Sequence, residues 1–254
     1  MKKSVLIFAF LFLLASCKDE KIEKKQQIEF KQEKFKKELT LASGKDTTTV
    51  KVNIPITHGN KIPADSLNKK LFSMVKEIVY FDEKPLKSND YDVLLSSFIN
   101  SYQKFVTDFP DYHLPWEATV DGKVIYQSEA IICIEINHYS FTGGAHGNGG
   151  LQSLIADATT GKTIPNDKLF KNTNEFKAFA EKEFRSAYKI PENGSINQTG
   201  LQFENEEFHL PQNIFFTDKG LLLYYNQYEV AAYVDGTKEL LFPYEKINDY
   251  LLTK

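Results

Sequence analysis

Cysteine is almost absent: 254 residues contain only Cys17 and Cys133. No disulfide framework is on offer, and a chain of this length can bury a sufficient core without one. Basic charge is not in excess either. Lys plus Arg total 31 against 34 Asp plus Glu, a formal charge of −3, which argues against a surface built to meet nucleic-acid phosphates. Past residue 14 no apolar run approaches the roughly 20 residues that a membrane span requires. Histidine is sparse, and His58, His113, His138, His146 and His209 never stand three to five apart, so no helical metal pair is spelled out. Acidic loops with EF-hand spacing and a nucleophile elbow are also missing. The sequence therefore gives no reason to expect a metal or cofactor.

What is present begins with an address. Lys2 and Lys3 precede an apolar run from Val5 to Leu14, followed at once by Leu14-Ala15-Ser16-Cys17. This is a secretory signal, too short to span a membrane. The tetrapeptide resembles the bacterial lipobox, and the resemblance implies cleavage before Cys17 and acylation of its sulfur. Several acyl chains on one residue anchor stably. Loss of residues 1–16 leaves 29 basic and 34 acidic side chains, a formal charge of −5. Cys133, within Ile131-Ile132-Cys133-Ile134, reads as a small buried hydrophobe.

Residues 18–38 carry 14 charged side chains in 21. They read as a solvated tether, and residues 17–44 as a lipidated cysteine followed by that tether. The start Lys18-Asp19-Glu20 resembles the signal that sends some lipoproteins to the outer face of the outer membrane. The expected location is thus the outer membrane, lipid-anchored, on its surface or its periplasmic face.

The remaining pattern predicts α+β architecture: two small subdomains, 45–150 and 151–254, with mainly antiparallel sheet and a Gly-rich crossover between them. Val50, Val52, Ile54 and Ile56 alternate as a strand. Helices are expected from Pro63 to Ile78, after Ser88 as far as Phe109, and from Asn174 to Tyr188. Strands are expected at 116–120, 124–126, 130–139, 151–156, 213–217, 221–226 and 239–242, with a turn at Asp121-Gly122 and a terminal helical turn from Tyr244 to Leu252. The polar stretch 190–200 reads as the best internal boundary. The apolar strands on either side of the crossover are expected to share a sheet.

One segment stands out: Tyr139-Ser140-Phe141-Thr142-Gly143-Gly144-Ala145-His146-Gly147-Asn148-Gly149-Gly150, with five glycines in its last eight residues. It lacks the Lys-Ser/Thr of a phosphate loop and leads into a strand, not a helix. Two readings stand side by side: a hairpin crossing the sheet, or a ligand loop whose polar contacts are His146 and Asn148.

That run, with Asp157-Ala158-Thr159-Thr160-Gly161-Lys162, Phe208-His209-Leu210-Pro211, Phe216-Thr217-Asp218-Lys219-Gly220-Leu221 and Tyr224-Tyr225-Asn226-Gln227-Tyr228, resembles a pair of domains of unknown function in bacterial envelope proteins. The pair occurs in the extracellular, lysozyme-sensing part of the anti-sigma factor RsiV and in the N-terminal module of a peptidoglycan deacetylase. The resemblance spans roughly residues 45–250. It departs at Ala232 and Asp235, where the family favours proline and a small residue. It implies an α+β envelope module that binds a wall glycan, a peptidoglycan fragment or a lysozyme-like protein, without catalysis. In the deacetylase the chemistry lies in a separate domain with an Asp and a His-x-x-x-His pair, absent here.

The expected binding surface is Gly143, Gly144, His146 and Asn148 with the aromatic strand at Tyr224, Tyr225 and Tyr228, tyrosines suiting both sugar faces and protein hot spots. The competing reading is an envelope hydrolase or deacylase using His146, or His138 with His146, beside Glu135 or Asp157.

Overall fold

The computed structural model describes residues 28–253 apart from 42–43, 45 and 59–61. The signal segment, Cys17 and residues 18–27 lie outside the described residues.

Strands β1 (Phe30–Thr40) and β2 (Thr47–Thr57) pair antiparallel along their whole length. Helices α1 (Ile62–Val79) and α2 (Tyr91–Asp108) then carry the chain to β3 (Glu117–Gln127), which lies parallel to β2 with Thr49 opposite Glu117. Parallel neighbours need a long crossover, and the helix pair supplies it. Strands β4 (Ile131–Phe141) and β5 (Asn148–Asp157) complete an antiparallel run, in the order β1-β2-β3-β4-β5. Val50, Val52 and Ile54 share one sheet face with Ala118, Val120, Ile132, Ile134 and Ile136. The apolar stripes of both helices, among them Leu67, Leu71, Leu94 and Phe98, close over it. The amide of Asn68 on α1 takes both backbone groups of Thr57, accepting from its N–H at 3.1 Å and donating to its C=O at 2.9 Å.

Two expectations give way here. The charged stretch read as tether forms β1 over residues 30–40, because β2 satisfies its backbone and α2 covers one of its faces. Phe35 stacks on Tyr91 at 4.6 Å and Lys37 pairs with Asp92 at 2.9 Å. Asp121-Gly122 is not a turn either: β3 runs straight through it. A side chain at Gly122 would come within 2.9 Å of Pro55 Cδ and 3.1 Å of Ile54 Cγ1, so the glycine marks a close approach of β2.

The register gives the sheet two ends. Phe30, Thr57, Gln127, Ile131 and Asp157 lie at one, and Thr40, Thr47, Glu117, Phe141 and Asn148 at the other. An 11-residue strand spans about 36 Å at roughly 3.3 Å per residue. The chain thus enters the sheet at one end, while the Gly-rich segment closes the β4–β5 hairpin at the far end.

The second unit holds α3 (Thr173–Ala187), capped by Asn172, a three-stranded antiparallel meander of β6 (Asn213–Thr217), β7 (Gly220–Tyr225) and β8 (Lys238–Phe242), and a short α4 (Tyr244–Ile247). Its core is aromatic, with Phe176, Phe184, Phe215, Phe216, Tyr225 and Phe242 buried together. The fold is therefore α+β, antiparallel except at β2–β3. The halves do not share a sheet: five strands form one and three the other.

The boundaries also move. A division at 150 cuts through β5, which pairs with β4 and belongs to the first sheet. The Gly-rich run is accordingly a hairpin loop, not the link between subdomains. The stretch 190–200 buries Ile190 and Ile196 and sits inside the second unit. The terminal helix ends at Ile247 rather than Leu252.

The units meet on the side of the first sheet away from α1 and α2. Ile131, Cys133 and Ile155 join the second unit's core. Burial pushes the Cys133 thiol up to about 12, which leaves it protonated and inert at neutral pH, as its apolar surroundings in the sequence imply.

Candidate functional site

The edge of β5 is where the second unit docks. The N–H of Leu151 donates to Asn226 Oδ1 at 2.9 Å, and Asn226 Nδ2 donates to the Leu151 carbonyl at 2.8 Å. One side-chain amide thus stands in for a neighbouring strand. Asn213 Oδ1 accepts from Ser153 N–H at 3.0 Å, extending the same edge. A side chain at Gly150 would fall 2.6 Å from Asn226 Oδ1, so glycine is required for the clamp to close. Replacing Asn226 by Ala leaves both backbone groups of Leu151 without partners. We expect a loss of about 2 kcal/mol, measured by urea unfolding of the mature chain.

The hairpin loop is packed, not loose. The Tyr139 ring lies across it, and a Cβ at Gly147 would come within 2.4 Å of that ring. Gly143 faces the Tyr112 hydroxyl in the same way, at 2.9 Å. These glycines admit aromatic neighbours, while Gly144, His146 and Asn148 remain exposed.

The His146 ring is carried across to the second unit. It stacks at 5.6 Å and 21° on Tyr233, and at 6.4 Å and 25° on Tyr228; the two tyrosines lie 5.4 Å apart. Tyr228 is 62% exposed and Tyr233 47%. Tyr228 has φ +67, a left-handed backbone that costs a bulky residue on the order of 1 kcal/mol or more. Its ring is held outward on that backbone. Beside the rings runs a groove of about 510 Å³, whose walls include Glu135, Asn137, Gly149, Tyr224, Gln227 and Thr237.

Of the residues expected to bind, His146 and Tyr228 are brought together, and Tyr224 lines the groove. Tyr225 is a correction. It is fully buried and its hydroxyl donates to the His209 carbonyl at 2.7 Å, so it belongs to the core and no ligand can reach it. Tyr233 was missed, since it opens a 3-10 turn of three residues, too short to show a period.

Two members of the catalytic constellation considered from sequence, His138 and Asp157, lie apart from His146. His138 shares the helix-facing parity of Ile134 and Ile136, and burial lowers its pKa, holding the imidazole neutral. His146 belongs to the ring cluster on the other side. Asp157 lies at the opposite end of the sheet, where its carboxylate accepts from Thr159 N–H and Thr160 N–H at 2.9 and 2.7 Å. Among the described residues no three His, Cys, Asp or Glu side chains converge as metal ligands.

Two joined α+β units, with an aromatic cluster and a polar groove at their junction, define a paired-domain protein. Residues 41–149 match the family model described as Deacetylase PdaC, and residues 167–245 match that of a protein of unknown function, DUF3298. The two matches fall in the order of the paired domains that its motifs resemble. It is 23% identical over 218 residues to the peptidoglycan-N-acetylmuramic acid deacetylase PdaC of Bacillus subtilis, covering 82% of this chain and 45% of that protein. The chain therefore spans about half the length of that relative. Two solved DUF3298 structures share the fold. One from Bacteroides fragilis has a TM-score of 0.67 at 18% identity and covers 89% of this chain and 94% of its own. One from Pseudomonas aeruginosa has 0.58 at 19%, with 89% and 95% covered.

Proposed function

We propose that the chain is a non-catalytic binding module of the cell envelope, tethered by lipid at Cys17, which holds a wall glycan against the rings of His146, Tyr228 and Tyr233. The observation that carries this reading is the ring cluster. Three aromatic side chains from both units are stacked and exposed, and one stands on a strained backbone. Exposed aromatic faces suit the apolar faces of sugar rings, and the groove alongside offers amide and hydroxyl groups for their polar edges. The relation to a peptidoglycan deacetylase supports a wall ligand.

The test is co-sedimentation with purified peptidoglycan. Tyr228→Ala with Tyr233→Ala should weaken binding at least tenfold, since truncation of a binding hot spot costs on the order of 2 kcal/mol. Thermal melting should stay close to that of the unaltered chain, because both side chains are exposed. Undiminished sedimentation of the double variant would overturn the assignment. Soluble lysozyme, run as a separate arm, distinguishes a basic protein partner from the glycan.

The anchor has its own experiment. A fatty-acid analogue fed to cells should label the unaltered protein and leave Cys17→Ala unlabelled. Equal labelling of both would remove the lipid from the reading.

A further inference from the structure

The outer edge of β5 is occupied at every second residue. Asn226 holds Leu151 and Asn213 holds Ser153; the Ile155 carbonyl accepts from Ile164 N–H at 2.8 Å, and Asp157 N–H donates to the Lys162 carbonyl at 2.9 Å. Alternation along a strand places Gly149 next in this series. Its N–H and C=O point to the same edge, no hydrogen bond from a described residue reaches them, and the groove opens there. The open register is one residue long, since the Asn226 clamp closes one side and the hairpin loop the other. A protein strand needs several consecutive pairs; a short peptide needs only this one. The missing side chain at Gly149 lets a ligand backbone approach whatever its chirality.

Among the groove residues named above, Glu135 is the charged one. It stands opposite Ser153, four residues along β5 from Gly149, or about 13 Å. That is the reach of a three- or four-residue peptide carrying an amine. We infer that the groove takes the short, amine-bearing peptide of a wall fragment, its backbone exchanging one pair of hydrogen bonds with Gly149 and its ammonium group lying at Glu135. This rests on the wall-binding reading above and assigns to the peptide a place separate from the rings.

The test uses the mature chain and synthetic L-Ala-γ-D-Glu-meso-diaminopimelate, which contains no sugar. Titration should move the amide resonances of Gly149 and Gly150. An analogue N-methylated at its peptide nitrogens should bind at least tenfold more weakly, without any change to the protein. Glu135→Gln should weaken the tripeptide about fivefold and leave peptide-free glycan chains unaffected. Equal affinity of the N-methylated analogue, or no shift at Gly149, overturns the inference. If intact wall fragments bind through the rings while the tripeptide does not, the peptide site falls and the glycan reading survives. If neither binds, both fall.

Discussion

A fragment ending at Asn148 will not fold cooperatively, although it contains nearly the whole of the first recognisable domain. It loses β5, so β4 becomes an unpaired edge. It also loses the cover of Ile131 and Cys133, which are fully buried against the second unit. Burying one isoleucine is worth roughly 1.5–3 kcal/mol, and a domain's whole stability is about 5–15 kcal/mol. The loss of a strand together with an apolar interface consumes that margin. Circular dichroism should show no sigmoidal melt for the fragment, while the chain from residue 18 onward gives a single transition. A cooperative melt of the fragment alone would establish the halves as independent.

The largest expected effect of a single substitution is at Gly220, where β7 begins. Its φ is +145, a backbone region that is essentially closed to residues with a side chain, and an added Cβ would lie 2.0 Å from the Phe242 carbonyl oxygen. The obstruction is backbone, with no flexible side chain to swing aside. Relief requires β7 and β8 to separate where Leu221 faces Phe242. Gly220→Ala should therefore cost about 3 kcal/mol or more in chemical denaturation. A cost under 1 kcal/mol would mean that the turn at Asp218-Lys219 rearranges freely.

The helices were legible because their apolar residues recur at the helical period and have no competing interpretation. Asp90 capping Asp92 and Val93, and Asn172 capping Asn174 and Glu175, sharpen their starts. Strand β1 was hidden for the opposite reason. Lysine and glutamate occupy both of its faces, and the phenylalanine that marks its inner side, Phe35, finds its partner Tyr91 far along the chain. Gly122 read as a turn because the close approach of Pro55 is a tertiary fact. Along β7 both parities are apolar, Leu221, Leu223 and Tyr225 on one side and Leu222 and Tyr224 on the other, so period two offered no contrast to tell the buried Tyr225 from its half-exposed neighbour. The clamp between the units escaped reading as well. An asparagine in a loop sequence signals a turn, and nothing local says that Asn226 will act as a strand for Leu151. Asn197, which binds both backbone groups of Phe203, poses the same difficulty.

The entry point of β1 has a mechanical consequence. Were Cys17 lipidated and a ligand held at the rings, as proposed above, the membrane would pull on the chain at Phe30, at one end of the sheet, and the ligand from the other. Tension then runs along the strand axis, and β1 can leave β2 only by sliding past it. The ladder from Phe30–Thr57 to Thr40–Thr47 lies across that load, so its bonds share the force instead of parting one after another. Had the chain entered at Thr40, the same pull would peel the pairs singly. A protein tethered and bound in that way would be loaded in shear, the direction in which its first strand resists most.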